Sequence, residues 1–291
     1  MYQTKKWLPY AYVLPSLLIL LLIVAYPLGY GFNLSFTNMS LNTFFNPKYI
    51  GFENYKTIFA NGELLSIFWR TIVWTVVNVF FHVTIGLWLA LMLNRKLPGK
   101  NIFRVLLMIP WAIPQYIAVL TWRGMYDFQY GAVNIILNKI GIEPIAWLTN
   151  SQWTFIGAII VNIWLGFPFM MMVILAGLQS IPNELYESAD IDGASGWQRL
   201  KNITLPMLKP IITPMVVLGT VWTFNMVNVI IILVQNTANE KTHILVTQVY
   251  RSAFTYFRYG YAAAFSVVIF ILLALFSNSF IKASKGEEGV Y

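Results

Sequence analysis

The chain has no cysteine, only two histidines, and charge on only 10% of its 291 residues. Without cysteine there are no disulfides, no thiol nucleophile and no cysteine-based metal site. His82 and His243 lie too far apart in the sequence to suggest a metal site. A soluble domain carries about a quarter charged residues, so the charge that would solvate a globular surface is missing. The phosphate-binding run G-x-x-x-x-G-K-[ST] is also missing. The one Gly-Lys pair, Gly99-Lys100, is followed by Asn101 and lacks the upstream glycine. No acidic pair and no histidine–carboxylate cluster lies inside an apolar run, which argues against an intramembrane enzyme. An ion-coupled carrier needs ionisable groups within its spans, and His82 is essentially the only one here.

What the chain has is apolar length: 58% of its residues are hydrophobic. A bilayer core about 30 Å thick takes about twenty apolar residues as helix. Six runs fit or nearly fit: Tyr10–Phe36, Thr71–Asn94, Val105–Trp122, Gln152–Ser180, Ile211–Val234 and Tyr259–Ile281. The first is too long for a cleaved signal peptide, and no small-residue cleavage site follows it. The expected fold is all-α, a polytopic membrane protein with six transmembrane helices, read as one membrane domain over residues 1–291. The formal charge of +8 sits mostly at the ends of these runs. There the membrane accounts for it and nucleic acid is not needed. The dense basic loop Arg95, Lys96, Lys100, Arg104 belongs in the cytoplasm by the positive-inside rule. Alternation then puts both termini on the cytoplasmic side of the cell membrane.

Within the spans, Gly86 and Ala90 lie four apart and make a small-residue face for helix packing in lipid. Pro110 and Pro114 predict a bend in the third span, with freed carbonyls that neighbours must satisfy. Short helices are expected outside the spans at Phe52–Phe59 and Val133–Ile140. In the fifth span Trp222, Asn225 and Asn228 recur at a spacing of three, so they are expected on one helix face. Planar amides and an aromatic ring are the groups that bind sugars, and these three residues are the candidate substrate path; helix–helix hydrogen bonding by the two asparagines is the alternative. Asn78, Gln115 and Asn162 are weaker candidates, and His82 is a structural histidine or a proton relay.

The segment Glu187–Pro206, ESADIDGASGWQRLKNITLP, is the polar stretch around which the spans are arranged. With Glu184 it carries four acids and two bases. It predicts two short helices. Asn183 is the expected N-cap of the first, with acids suiting the helix dipole. Gly193 makes the turn. Ser195 and Gln198 form a capping box for the second, and Pro206 is expected to stop it. Leu185 and Ala189 share one face of the first helix, Trp197 and Leu200 one face of the second. Two amphipathic helices between long apolar spans make a docking surface for a partner outside the membrane.

The order Glu187-Ser188-Ala189, Gly193, Ile203, Leu205-Pro206 resembles the EAA loop of ABC importer permeases, with Ser188 where the family usually has alanine. The likeness extends to Gly86–Arg104, Ile109–Asn134, Ile163–Glu187 and Tyr259–Ser266, and the subgroup is the MalF-like carbohydrate permeases. The resemblance implies that Glu184, Leu185, Glu187, Ser188, Ala189, Gly193, Trp197, Ile203, Leu205 and Pro206 couple to an ATPase. It also implies a second, MalG-like permease, an ATPase homodimer that consumes ATP and Mg²⁺, and an extracytoplasmic sugar-binding protein. This chain itself would bind no cofactor. The implied substrate is a carbohydrate such as a maltose-like or maltodextrin-like oligosaccharide, with a glycerol-phosphate importer as the alternative within the class.

Overall fold

The computed structural model describes residues 8–60, 62–95, 98–234 and 240–288. In chain order the helices are α1 (Leu8–Leu20), α2 (Tyr26–Leu34), α3 (Glu53–Ala60), α4 (Leu64–Leu93), α5 (Lys100–Ala112), α6 (Gln115–Met125), α7 (Ala132–Lys139), α8 (Ser151–Gln179), α9 (Asn183–Ile191), α10 (Gly196–Arg199), α11 (Leu205–Phe224), α12 (Asn228–Val234), α13 (Leu245–Phe254) and α14 (Tyr259–Glu288). Among the described residues the only β pairing is one isolated bridge, Thr37 to Tyr49. Five helical stretches are long and apolar enough to cross a membrane, or six when the bent pair α5–α6 counts as one span. The all-helical, six-span expectation is therefore met.

Each boundary that differs from the sequence expectation has a local cause. α1 and α2 form one span through a π-helical turn at Leu21–Ala25. The second span begins at Leu64 rather than Thr71, because Arg70 is satisfied: its Nε donates to the His243 carbonyl at 3.0 Å. The third span bends by 92° at Ile113–Pro114. Ile113, which precedes the proline, is extended (ψ 136°), as the proline ring demands of its neighbour. Pro110 lies within α5 without breaking it.

The fifth span was expected unbroken from Ile211 to Val234, but it stops at Phe224 and resumes at Asn228. Two side chains take up backbone carbonyls at this break. Trp74 Nε1 donates to Thr223 O at 2.8 Å, and Asn225 Nδ2 donates to Val221 O at 2.8 Å. An Asn amide that bonds the preceding turn competes with the helix. The helix of the sixth span, whose apolar stretch is Tyr259–Ser279, continues to Glu288.

The chain forms two compact units, one of Met1–Leu64 with Gln248–Ala274 and one of Leu65–Thr247 with Leu275–Tyr291. In the first, the loop after α2 is tied down by the Asn54 amide, which donates to Ser35 O and Thr37 O at 2.9 and 2.8 Å. In the second, α4 and α8 pack closely, and Ala90 is buried beside Met171, Ile174 and Leu175. Outside the spans, Asn134 at the start of α7 donates to Ile145 O and accepts from Ile145 N and Trp147 Nε1. Tyr126 stacks on Trp147 at 5.0 Å and donates to Gly157 O. Burial pushes its phenol above the ordinary value, which keeps it a donor.

Gly86 sets the α4–α8 separation. A Cβ there would lie 2.8 Å from Met171 N and 3.1 Å from Met170 C, both backbone atoms. Gly86→Ala is expected to destabilise the protein by about 1–3 kcal/mol through overpacking. Gly31→Ala, with nothing within 4 Å of the added carbon, should be neutral or slightly stabilising. Thermal melting of the two purified variants in detergent checks this.

Candidate functional site

The bend at Pro114 and the break after Phe224 face one cavity of about 440 Å³ in the second unit. Its wall carries three aromatic rings from three helices. Phe169 of α8 lies 6.4 Å from Trp111 of α5, nearly parallel at 24°, and 5.3 Å from Trp222 of α11 at 55°. Polar groups are few: His82, Gln115, Asn162 and Thr223. His82 Nε2 lies 2.9 Å from Asn162 O, and the imidazole packs against Gly166, where a Cβ would collide with the ring. Asn162 Nδ2 is buried and has no hydrogen-bond partner among the described residues. A mostly apolar cleft with a few placed polar groups is the general form of a small-ligand site. No lining residue is lysine, arginine, aspartate or glutamate.

The three candidate substrate-path residues separate. Trp222 lines the cavity; Asn225 and Asn228 do not. They also do not share a helix face, because the helix ends between them. Asn225 caps its own helix, whereas Asn228 Nδ2 donates to Gln115 Oε1 at 3.0 Å and so holds a cavity-lining side chain. Phe169 and Trp111 were missed. In sequence they are two aromatics among many, and the packing of α5 on α8 brings them together.

The polar segment folds as α9, a turn, and α10. Gly193 has φ 72°, Gly193 N donates to Asp190 O at 3.1 Å, and Ala194 N donates to Ala189 O at 2.8 Å. The capping box forms as expected, with Ser195 N to Gln198 Oε1 at 2.7 Å and Gln198 N to Ser195 Oγ at 3.4 Å. Two expectations are corrected. Pro182, not Asn183, holds the N-cap position of α9, without a side-chain cap. Its fixed φ precedes the helix, so Asn183 falls inside the first turn. Pro206 does not stop the second helix. A π-helical turn at Leu200–Thr204 lets Leu205 N bond to Leu200 O. Pro206 then occupies a first-turn position of α11, where no N–H is required. Helix therefore runs from Gly196 to Phe224 without a gap.

Two contacts join the arms of this loop: an ion pair between Arg199 and Asp190, and a hydrogen bond of 2.9 Å between Tyr186 Oη and Thr204 Oγ1. Tyr186, half-buried on the α4–α8 core, went unnoticed in the sequence. The other predicted residues form the outer surface. Glu184, Leu185, Glu187, Ser188, Trp197, Leu205 and Pro206 are exposed, while Ala189 and Ile203 are half-buried. Trp197 is 69% exposed and Ile191 87%.

The profile of the binding-protein-dependent transport system inner membrane components matches residues 82–285. This chain belongs to that family. The permease is 33% identical over 289 residues to the trehalose/maltose transport system permease MalF of Thermococcus litoralis, covering 98% of this chain and 95% of the relative. It is 35% identical over 299 residues to the galactooligosaccharides transport system permease GanP of Bacillus subtilis, covering 96% and 71%. Among solved structures it is similar to a chain of a bacterial ABC transporter involved in alginate import, with 26% identity, a TM-score of 0.83 and 96% of each chain covered. The same transporter has been solved in complex with a periplasmic protein bound to alginate pentasaccharide; there the TM-score is 0.80 at 27% identity. The MalF-like resemblance of the sequence therefore holds, and the permease is a membrane-spanning transporter subunit.

Gly193 carries the shape of the polar loop. A side chain there meets nothing within 4 Å in this chain, so its cost is backbone strain, about 1–2 kcal/mol. Gly193→Asp should therefore open the loop roughly fivefold or more often. The check is limited trypsin digestion of the purified permease: cleavage at Arg199 and Lys201 should be faster than in the unaltered protein.

Proposed function

We propose that the permease carries a carbohydrate, such as a maltose-like oligosaccharide, across the cytoplasmic membrane. It would work with a second, MalG-like permease, an ATPase homodimer and an extracytoplasmic sugar-binding protein. The observation that carries this reading is the aromatic wall Trp111–Phe169–Trp222, with the Gln115 and Asn162 amides beside it. Sugar rings present C–H faces to aromatic rings and hydroxyls to amides. The transported sugars in the names of MalF and GanP support the substrate class. A phosphate ester would call for a cation in the cavity, and the wall contains none.

ATP and Mg²⁺ are consumed by the partner ATPase, which docks on the loop from Pro182 to Pro206. Glu184, Leu185, Glu187 and Trp197 make contact there, and Gly193 gives the loop its shape. Coupling to the cavity runs through one rod. Trp197 at the loop and Trp222 at the cavity belong to the same continuous helix, about 37 Å apart along its axis at 1.5 Å per residue. A tilt imposed by the ATPase at one end reaches the cavity wall at the other. Both termini lie in the cytoplasm, on the side of the docking loop.

Trp222→Ala should raise the KM for sugar uptake about tenfold, equivalent to roughly 1.4 kcal/mol of lost binding. The assay is uptake into proteoliposomes holding the complete importer, driven by internal ATP and indifferent to ion gradients. Unchanged kinetics would discard the cavity as the sugar path. Glu187→Lys reverses a charge on the exposed loop and touches no span. It is expected to leave membrane insertion intact and to lose the co-purifying ATPase, as a like-charge juxtaposition at an interface does. Normal ATPase recovery together with normal uptake would make this loop a mere connection.

A further inference from the structure

A second cleft, of about 530 Å³, lies wholly within the first unit, between the loop that follows α2 and the start of α14. It differs in character from the cavity of the second unit. Its lining is rich in amides and hydroxyls, with one carboxylate and one guanidinium among its side chains. Alternation of the spans from a cytoplasmic N-terminus puts the 35–58 segment and residues 256–258 on the extracytoplasmic side of the membrane, where substrate enters an importer.

The backbone around the cleft is held in an unusual way. Phe257 has φ 53° and is the sole non-glycine residue with positive φ among the described residues. For a bulky aromatic this is a strained conformation, and such strain persists only where the surroundings enforce it. They do so here. Phe257 O accepts from Leu41 N at 3.0 Å, and Arg258 N donates to Ser252 O at 2.8 Å. The turn directs Arg258 to the cleft wall, where its guanidinium lies 4.6 Å from the centroid of the Tyr261 ring. Arg258 makes no ion pair among the described residues.

Other polar groups of the wall are left with unused capacity. Asn38 uses its Oδ1 to accept from Lys48 N at 2.7 Å, which leaves its Nδ2 available. The Asn42 amide is exposed and makes no side-chain hydrogen bond. Thr57 Oγ1 donates to Glu53 O at 3.0 Å and keeps its acceptor lone pairs.

We propose that this cleft is a second saccharide site, on the extracytoplasmic side and separate from the cavity of the second unit. The inference rests on the carbohydrate reading above and deepens it. Planar amides and a guanidinium fork can bond vicinal hydroxyls in pairs, and Tyr261, buried under Arg258, holds that guanidinium at the wall. Glu53 on the same wall is paired with Lys56 at 3.7 Å. The volume falls in the range of small-ligand pockets, and the concave, mixed lining suits a neutral polyol better than a lipid tail.

The test uses the complete importer in lipid nanodiscs, without binding protein, and saturation-transfer NMR with maltotriose and galactobiose as probes. Trp222→Leu weakens saccharide binding in the cavity of the second unit about tenfold, as Trp222→Ala does. In that background a saccharide signal should remain, and adding Asn42→Leu and Arg258→Leu should weaken it tenfold or more. Asn42→Leu alone, at an exposed side chain with no bond in the chain, should weaken it severalfold without lowering the melting temperature. A signal abolished by Trp222→Leu alone would overturn the second site and leave the carbohydrate reading standing. So would a residual signal indifferent to Asn42 and Arg258. If Arg258→Leu lowers only the stimulation of ATPase by added binding protein, with saccharide binding intact, the cleft is a protein-docking surface and the proposal falls. Failure of the unaltered importer to bind either sugar would remove the carbohydrate reading itself, and this site with it.

Discussion

A peptide group inside a bilayer has no water to bond, so every interruption of a helix must be satisfied by the protein itself. The main departures from simple spans in this permease follow from that constraint. At Pro114 the third span turns by 92°, and the turn lies against a protein cavity rather than lipid. At the end of α11 the freed carbonyls are taken by Trp74 and Asn225. Where Pro206 would have ended a helix, a π-helical turn rearranges the bonding and the helix continues. The cavity exists because two of these interruptions meet. The rod from loop to cavity exists because the third was bridged.

That rod links two features that are otherwise chemically unrelated. One end is polar, capped by Ser195 and Gln198 and pinned to α9 by Tyr186–Thr204 and Arg199–Asp190. The other carries Trp222 into the aromatic wall. The close α4–α8 contact at Gly86 gives the rod a firm neighbour: Leu208 of α11 is fully buried in the same core as Ala90 and Met171.

The sequence by itself determined the class of the protein. Apolar runs of about twenty residues can only be spans, missing charge excludes a soluble surface, and the EAA pattern points to the family. Its turn at Gly193 and its capping box could be read because they are local: both depend on residues within four positions of one another. The tertiary structure decided the rest. Asn225 and Asn228 look like one face only if the helix is continuous, and it breaks between them because Trp74, far away in sequence, takes the Thr223 carbonyl. Pro206 looks like a stop only if the helix stays α. Trp111 and Phe169 join Trp222 only through the packing of α5 and α11 on α8, which no spacing encodes. Periodicity and capping act over a few residues of one chain segment, whereas a cavity wall is assembled from helices that the sequence leaves unordered in space.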